Sequence, residues 1–255
     1  MNQTRDRIPL SVSVVVPVYN ESSTVEREVR KIHAFLEDRF AGSEIILVDD
    51  GSTDGSAAVL DGIAKDLPRV RLLRHPRNLG IGAAVMNGYA AATQNAVTYF
   101  PADSQAEISD IAEFALHLSP GVDVVLGYRS DRRDYSVVRL AYSYLNLVLH
   151  ALLFGRIYRD VNWIHLVRRD ALLRISVASR SAFMGGEMLE KIRRTGGRIV
   201  EKPARYNPRT EGKTHVGNLR GARAALRDML RLRIDLWVRP RATLEPAAAC
   251  RREAS

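Results

Sequence analysis

A short polar turn carries the residue types in this chain that best suit a divalent cation. Residues 97–100 have strand-forming character, and the turn after them contains Ala102, Asp103 and Gln105. Because side chains two positions apart on an extended segment point the same way, Asp103 and Gln105 would present a carboxylate and an amide oxygen together. That pair suits a hard cation that also holds the phosphates of a nucleotide. The alternative is an ordinary loop before a helix capped by Ser109.

Two earlier apolar runs also end in polar side chains. Residues 11–18 lead into residues 19–21 (Y-N-E), whose aromatic ring, amide and carboxylate could sandwich a base and bind its polar edge or the ribose. Residues 44–48 lead into Asp49 and Asp50, which offer acceptors for a base N–H or for ribose hydroxyls. Either aspartate could instead cap a helix.

Two further runs end in side chains that suit phosphates. Arg129 follows residues 122–128, and its planar guanidinium could bind a phosphate through two hydrogen bonds. Asn78 follows residues 70–74. Together with Asp103, these residues predict a nucleotide diphosphate bound across several strand ends beside a cation. The cation and the arginine would neutralise the negative charge that develops on a leaving diphosphate. The reaction would therefore cleave the bond between the diphosphate and the group attached to it.

The apolar runs also predict the elements that position these side chains. Five short buried strands precede residue 130, and helical spacing appears between them at residues 23–40, 57–67 and 81–93. Strands that alternate with helices in this way predict an α/β fold, with a doubly wound and mostly parallel sheet flanked by helices, as in Rossmann-like proteins. In such sheets ligands bind at the carboxyl ends of the strands, where the polar clusters gather.

The second half of the chain has a different character. Residues 139–154 predict an apolar helix that Gly155 ends. It is too short and too interrupted to cross a bilayer, and it could be a core helix, a helix at a membrane interface or a helix that lines a lipid acceptor site. Further strands are predicted at residues 161–167 and 198–203, with a helix at 186–195 between them.

Basic residues dominate the C-terminal part. The loop at residues 207–217 carries Arg209 and Lys213, and it could fold over bound phosphates or be a solvated turn. Residues 219–237 predict a basic amphipathic helix that docks on the domain or lies on anionic lipid, and we favour the lipid. The apolar positions expected near one side of this helix are Leu226, Met229, Leu230, Ile234 and Trp237.

Composition bounds the class of protein and its partners. With 255 residues, 46% of them hydrophobic and 26% charged, the chain can bury a core, and its net charge of +9 indicates an anionic partner. The single cysteine, Cys250, allows no disulfide framework, and we find no signal sequence and no apolar run long enough to cross a bilayer. We therefore expect a cytoplasmic protein, at most peripheral on the inner face of the membrane. The predicted organisation is a tail at residues 1–10, a single domain at 11–217, the basic helix at 218–240 and a flexible tail at 241–255.

Two other function classes fit the sequence poorly. A nicotinamide-dependent oxidoreductase would carry Gly-x-Gly-x-x-Gly after its first strand, where this chain has P-V-Y-N-E. The C-terminal arginines are not interleaved with stacking aromatic residues, so we expect no binding of nucleic acid. A nucleotide-sugar-binding protein that has lost catalysis is a remaining alternative.

Several motifs resemble those of the inverting family 2 glycosyltransferases of GT-A fold: P-V-Y-N-E, V-D-D-G-S-T-D-G-S, R-N-L-G-I-G-A-A and A-D-S-Q. Later segments are similar to the polyprenyl-phosphate sugar transferases, such as dolichol-phosphate mannosyltransferase: G-Y-R at residues 127–129, the stretch 160–169, and G-G-R-I-V-E-K-P followed by R-T-E-G-K-T. The resemblance spans residues 11–217. It implies an enzyme that transfers a sugar with inversion from a UDP- or GDP-sugar to a polyprenyl phosphate, with Mg2+ or Mn2+ as cofactor.

The resemblance also implies a role for each matching residue. The nucleoside would contact Pro17, Tyr19 and Glu21, and the base or ribose would contact Asp49 and Asp50. The other positions would bind the diphosphate, the cation or the acceptor phosphate: Asn78, Ala102, Asp103, Gln105, Arg129, Arg139, Arg209 and Lys213.

The metal turn and the acceptor side leave two points open. Relatives usually carry Asp-x-Asp in the metal turn, but Pro101 stands at the first aspartate position, so we expect weaker cation binding. A phosphate acceptor is itself a nucleophile near neutral pH, whereas a soluble hydroxyl acceptor, the alternative function, needs a general base. Glu187 matches an acidic position of the family and is the candidate base. Its alternative role is a favourable charge at a helix N-terminus.

Overall fold

The computed structural model describes residues 7–130, 137–207 and 219–238. Its strands are β1 Ile8–Val18, β2 Phe40–Asp49, β3 Val70–Arg74, β4 Ala96–Tyr99, β5 Val124–Arg129, β6 His165–Arg168 and β7 Ile199–Ala204. Its helices are α1 Val25–Arg39, α2 Ser56–Asp66, α3 Ile81–Ala91, α4 Ser109–His117, α5 Val137–Phe154, α6 Arg169–Leu173, α7 Met184–Arg194 and α8 Leu219–Val238.

All of these strands form one sheet in the order β3-β2-β1-β4-β6-β5-β7. β1 pairs in parallel with β2 and β4, β2 pairs in parallel with β3, and β5 pairs in parallel with β7. β6 runs antiparallel to both β4 and β5, so it alone opposes the other described strands. The predicted α/β fold with a mostly parallel sheet flanked by helices is therefore confirmed.

Apolar layers cover both faces of the sheet. Val14 and Val16 of β1 pack in the layer that contains α1, α2 and α4. Val15 points to the opposite face, into the layer that contains α3 and α7. Alternate side chains of one strand are thus buried on both faces, which explains why β1 reads as a continuous valine run rather than as an alternating pattern.

Several element boundaries differ from the sequence predictions because tertiary contacts set them. β1 begins at Ile8 and β2 at Phe40, both earlier than predicted, and these two residues pair with each other. α6 was not predicted, since five residues show no clear periodicity. The alternative role of Ser109 as a helix cap is wrong. Ser109 is the first residue of α4 and follows Ile108, and no side-chain hydrogen bond caps this helix.

Helix α8 forms at the predicted position, but its buried face differs from the prediction. One buried cluster joins it to α5 and to the residue before α7: Phe154, Phe183, Ala225, Met229, Leu232 and Leu236. Of the apolar positions predicted near one side, Met229 is buried and the others are exposed: Leu226, Leu230, Ile234 and Trp237. Helix α8 therefore docks through one apolar face and leaves a second in solvent. None of the helices described has the length and hydropathy that a bilayer crossing requires.

Glu44 ties together the amino-terminal parts of β1 and β2 and the end of α3. Its Oε1 accepts hydrogen bonds from the Ser13 hydroxyl at 2.6 Å, the Thr93 N–H at 2.7 Å and the Thr93 hydroxyl at 2.9 Å. Its Oε2 lies 2.8 Å from the guanidinium of Arg71. Burial alone would raise the pKa of Glu44, but these hydrogen bonds and the Arg71 charge outweigh burial and lower it.

Glu44→Gln should lower the free energy of unfolding at neutral pH by about 2 kcal/mol, because it replaces a charged acceptor that serves several buried donors. The folded pKa lies below the ordinary value of 4.5, so the stabilisation is present above that value and is lost as the pH falls through the folded pKa. Urea unfolding from pH 7 downwards should show the difference from wild type shrinking. The exposed Glu26→Gln is the control. Equal stability of Glu44→Gln and wild type at pH 7 would contradict this account.

Candidate functional site

The polar turns of the sequence lie at one edge of the sheet. β1 pairs in parallel with β2 and β4, and β2 pairs in parallel with β3, so these four strands run in the same direction. β6 is antiparallel to both β4 and β5, so β5 runs in that direction as well. The carboxyl ends of these five strands therefore face the same edge. Because β6 is antiparallel, the residues that precede it reach this edge as well.

The turn after β1 is fixed by the turn after β2. Asn20 has a φ of +56°, and its Oδ1 accepts the N–H of Thr53 at 2.8 Å. The N–H groups of Asn20 and Glu21 donate to the hydroxyls of Ser52 at 3.2 Å and Ser56 at 3.1 Å. The Asn20 amide is thus used to build the turn. The three side chains expected to contact a nucleoside are partly buried here: Pro17, Tyr19 and Glu21.

The turn after β2 also contacts the loop that contains Asn78. Asp49 is buried, and its Oδ1 accepts the N–H of Ser52 at 2.9 Å. Helix α2 begins only at Ser56 and no side chain caps it, so the helix-cap alternative is wrong for both aspartates. Gly51 has a φ of +71°, and a Cβ there would lie 2.5 Å from the carbonyl carbon of Arg77 and 2.7 Å from the nitrogen of Asn78. Only glycine allows this close approach. Asn78 itself is exposed beside it.

Asp50 is buried and holds the loop before α3. Its carboxylate accepts the N–H groups of Leu79 and Gly80, both at 2.9 Å, and contacts Nδ1 of His75 at 2.7 Å. The Asn87 amide lies 2.8 Å from Nε2 of His75. An amide N–H donated to Nε2 leaves the ring proton on Nδ1, which then donates to Asp50. Asp50 therefore shapes the site through the backbone. His75 was missed because an isolated histidine carries no motif.

The turn after β4 holds Asp103 and Gln105. Asp103 Oδ1 accepts the N–H of Gln105 at 3.2 Å, and the Gln105 amide donates to the Tyr206 hydroxyl at 3.0 Å. Between them Ser104 has a φ of +61°, and its hydroxyl donates to Glu28 Oε1 at 2.7 Å. The turn is therefore held from α1 on one side and from the segment after β7 on the other.

The donor set of this turn suits a cation that is shared with a ligand. Ala102 is buried in the core, so it can reach a ligand only through its backbone. Within the part of the chain that the structure describes, no three His, Cys, Asp or Glu side chains converge. Asp103 and Gln105 supply one carboxylate and one amide, which are oxygen ligands of the kind that Mg2+ accepts when phosphates fill other positions.

Arg129, at the end of β5, is paired with Asp160. Its Nε lies 2.7 Å from one carboxylate oxygen of Asp160 and a terminal nitrogen lies 3.0 Å from the other. The guanidinium also stacks 4.8 Å from the ring centroid of Trp163. A phosphate at this position would therefore share Arg129 with Asp160. The importance of Trp163 could not be predicted from the sequence. Its ring reaches Arg129 only because β6, which follows it, pairs antiparallel with β5.

Glu187 is buried at the start of α7, and both of its oxygens are engaged. They accept the N–H groups of Ala178 at 3.0 Å and Ser179 at 2.8 Å, and Oε1 lies 2.6 Å from Nζ of Lys191. Burial would raise the pKa of Glu187, but the Lys191 charge and these hydrogen bonds lower it. Service as a general base would require Glu187 to leave these bonds. In this arrangement it shapes the segment before α7.

That segment, residues 178–182, packs against the start of α3. The N–H of Gly82 donates to the Arg180 carbonyl at 3.0 Å. A Cβ at Gly82 would lie 2.6 Å from the Arg180 carbonyl carbon, and a Cβ at Gly80 would lie 2.8 Å from its oxygen. Asp228 of α8 accepts the hydroxyl of Ser181 at 2.7 Å. The loop that Asp50 holds is therefore also held from α7 and α8.

Three candidates cannot be placed in this site. The side chain of Arg139 lies outside the described part of the chain, although its backbone belongs to the first turns of α5. Arg209 and Lys213 also lie outside the described residues. Their roles stay predictions.

Comparison with known proteins gives a family match and several relatives. The sequence model of Glycosyl transferase family 2 matches residues 13–173. An uncharacterised glycosyltransferase of Mycobacterium tuberculosis is 30% identical over 226 residues, which cover 86% of this chain and 95% of that protein. The undecaprenyl-phosphate 4-deoxy-4-formamido-L-arabinose transferase of Pseudomonas fluorescens is 34% identical over 140 residues, or 54% of this chain and 41% of that protein.

Solved structures share the fold at low sequence identity. Glucosyl-3-phosphoglycerate synthase of Mycobacterium tuberculosis, crystallised with Mn2+, uridine diphosphate and phosphoglyceric acid, has a TM-score of 0.67 at 20% identity over 88% of this chain and 78% of that one. Mannosyl-3-phosphoglycerate synthase of Rubrobacter xylanophilus has a TM-score of 0.66 at 22% identity over 90% and 76%. These likenesses establish the GT-A architecture of the sheet and its helices.

Gly82→Ala should displace the start of α3 from residues 178–182, because the added methyl group meets backbone atoms that cannot rotate away. We expect a loss of about 2 kcal/mol in the free energy of unfolding and a distorted Asp50 loop. Gly62→Ala is the matched control, since a Cβ there meets nothing within 4 Å and should stabilise α2 by up to about 1 kcal/mol. Thermal and urea unfolding measure both changes. Equal effects of the two substitutions would contradict the close contact.

Proposed function

Because the chain belongs to glycosyl transferase family 2, we propose that this glycosyltransferase moves a sugar from a nucleoside diphosphate sugar to a polyprenyl phosphate with inversion. One observation carries the proposal: the turn with Asp103 and Gln105 lies at the same sheet edge as the turn after β1 and as Arg129 at the end of β5. A nucleotide, its diphosphate and an acceptor phosphate can thus be bound side by side.

The donor would bind across the ends of β1, β2 and β4. Tyr19 and Glu21 would contact the nucleoside from a turn that hydrogen bonds already hold in place. Asp49 and Asp50 would act chiefly through the backbone that they fix, since their oxygens serve N–H groups of the protein. Binding energy would then not be spent on ordering these loops.

Asp103 and Gln105 would hold Mg2+ or Mn2+ together with the diphosphate. Bound there, the cation would supply positive charge to the leaving diphosphate. The oxygen donors of the turn support this assignment, and so does the crystal form of the mycobacterial synthase with Mn2+ and uridine diphosphate. With Pro101 in place of a second carboxylate, affinity for the cation alone would be low and would rise when the nucleotide is present.

The acceptor phosphate would lie near Arg129, which Asp160 and Trp163 hold in a fixed orientation. A phosphate oxygen can attack the anomeric carbon without a general base, and this is compatible with the engagement of Glu187 by other groups. The undecaprenyl-phosphate transferase among the relatives supports a lipid acceptor. We place the enzyme in the cytoplasm, peripheral on the inner face of the membrane through residues 219–237.

A donor and acceptor screen tests this proposal. The protein is incubated with Mg2+ or Mn2+, with each of several UDP- and GDP-sugars, and with a polyprenyl phosphate, phosphoglycerate or no acceptor. We expect release of nucleoside diphosphate that depends on the polyprenyl phosphate. Release that depends only on a soluble hydroxyl acceptor would instead support the alternative function, which is sugar transfer to such an acceptor. No release with any pair would refute the proposed transfer.

Asp103→Asn tests the cation site while it keeps the size of the side chain and an oxygen that can accept the Gln105 N–H. We expect kcat/KM to fall by about two to three orders of magnitude, as when a charged contact to a leaving group is lost. Calorimetry should also show that Mn2+ no longer strengthens binding of the nucleoside diphosphate. The control is Asp38→Asn on the exposed face of α1. Unchanged cation dependence of nucleotide binding would mean that Asp103 is no ligand.

A further inference from the structure

Large exposed hydrophobic side chains are concentrated in one part of the structure. Twelve occur among the described residues, and only two of them, Leu116 and Leu173, lie elsewhere. The other ten lie on α5, just after it, or on α8: Tyr144, Leu145, Val148, Leu152, Ile157, Leu226, Leu230, Ile234, Trp237 and Val238. Exposed apolar groups scattered singly need no explanation, but a concentration of this kind marks a binding surface.

Helix α8 combines its exposed apolar residues with arginines. Leu226, Leu230, Ile234 and Trp237 follow one another at spacings of four, four and three residues, which places them on one face of the helix. A shallow groove along this face is lined by three of these apolar side chains, by Asp235 and by three arginines: Arg223, Arg227 and Arg231. An apolar stripe bordered by arginines is the pattern of a helix that lies at a membrane interface.

Helix α5 contributes apolar groups with little charge. Leu145, Val148 and Leu152 are spaced by three and four residues, so they too share a face, and their exposed fractions are 52%, 53% and 77%. The sequence of α5 contains no acidic residue, and Arg139 is its only lysine or arginine. The cluster around Phe154 and Met229 packs α5 directly against α8. The two helices are thus neighbours: α5 exposes apolar side chains, and α8 exposes apolar side chains together with arginines.

We propose that α5 and α8 together form a surface that binds an anionic lipid bilayer, with the apolar groups of α5 and α8 at the acyl boundary and the arginines of α8 at the lipid phosphates. This lipid-binding surface extends the contact proposed above from residues 219–237 to α5. It rests on the proposed function in that the bilayer would hold the acceptor. Helix α5 begins at Val137, eight residues after Arg129, so it follows the acceptor side of the site in the chain.

Charge favours a bilayer over a second copy of the chain. A twofold symmetric interface brings the same patch of both subunits together, so the arginines of one α8 would meet those of the other. The acidic residues of α8 do not offset this repulsion, because Asp228 contacts Ser181 and Asp235 lies beside Arg231 of its own helix. Anionic lipid phosphates are complementary to the same arginines.

Flotation of the full chain with vesicles, without substrates, tests the surface. We expect binding to vesicles of phosphatidylcholine with phosphatidylglycerol and weaker binding to phosphatidylcholine alone. The double variants Leu145→Gln with Val148→Gln on α5, and Leu230→Gln with Trp237→Gln on α8, should each bind about tenfold less. Removal of Arg223, Arg227 and Arg231 by glutamine should reduce binding to the anionic vesicles by roughly a hundredfold. The matched control is Leu116→Gln with Leu173→Gln, which removes two equally exposed leucines elsewhere.

Wild-type binding by the α5 double variant would overturn the two-helix surface, as would equal loss in the control pair. Circular dichroism of each variant separates loss of binding from loss of fold. Sedimentation that shows a dimer abolished by the same variants, with no flotation of wild type, would assign the surface to a second copy instead. Nucleoside diphosphate release with a short water-soluble isoprenyl phosphate, measured in parallel, separates the two proposals. Flotation lost by the variants supports the surface even where wild type turns over no substrate.

Discussion

The structure of the site depends on carboxylates that bind backbone N–H groups. Asp50 accepts two of them from the loop before α3, and Glu187 accepts two from the segment before α7. These two segments meet where the N–H of Gly82 donates to the Arg180 carbonyl. Each carboxylate therefore stabilises a segment that contacts the segment held by the other carboxylate. Loss of these N–H donors would leave a buried carboxylate without hydrogen bonds, which costs free energy. The loops that supply the donors are therefore held strongly in one conformation. The loops at the sheet edge are thereby preorganised before any ligand arrives.

Much of the fold was predictable because it follows from periodic patterns. The valine run of β1 and the helical spacing of α1 predicted buried strands alternating with helices, and the parallel sheet followed from that alternation. The extra residues at the starts of β1 and β2 were not predictable, since Ile8 and Phe40 join the sheet only by pairing with each other. For α8 the period was visible, but which of its two apolar faces would be buried depended on the position of Phe154 and Phe183.

The site was predictable in its position and less so in the use of its side chains. The turns at Asp103 and after β1 lie at the expected edge because strand direction determines it. The sequence could not show that the Asp50 carboxylate accepts the N–H groups of Leu79 and Gly80. Nor could it show that Arg129 is paired with Asp160. These partners lie far along the chain and have no fixed spacing. A polar residue beside a ligand and one that holds a loop look the same until the tertiary contacts are known.

The reversed strand β6 separates two halves of the sheet. On one side β1 to β4 carry the turns with Tyr19, Asp50 and Asp103, and on the other β5 and β7 lead to Arg129 and the segment of Tyr206. The stretch from Asp160 to Trp163 sits between them and contacts the second half through Arg129 and Tyr206. Tyr206 also accepts the Gln105 amide, so the ring of Trp163 is linked through Tyr206 to the turn after β4 in the first half. A substitution at Trp163 would therefore be felt on both sides of β6, at Arg129 in one half and at the Gln105 turn in the other.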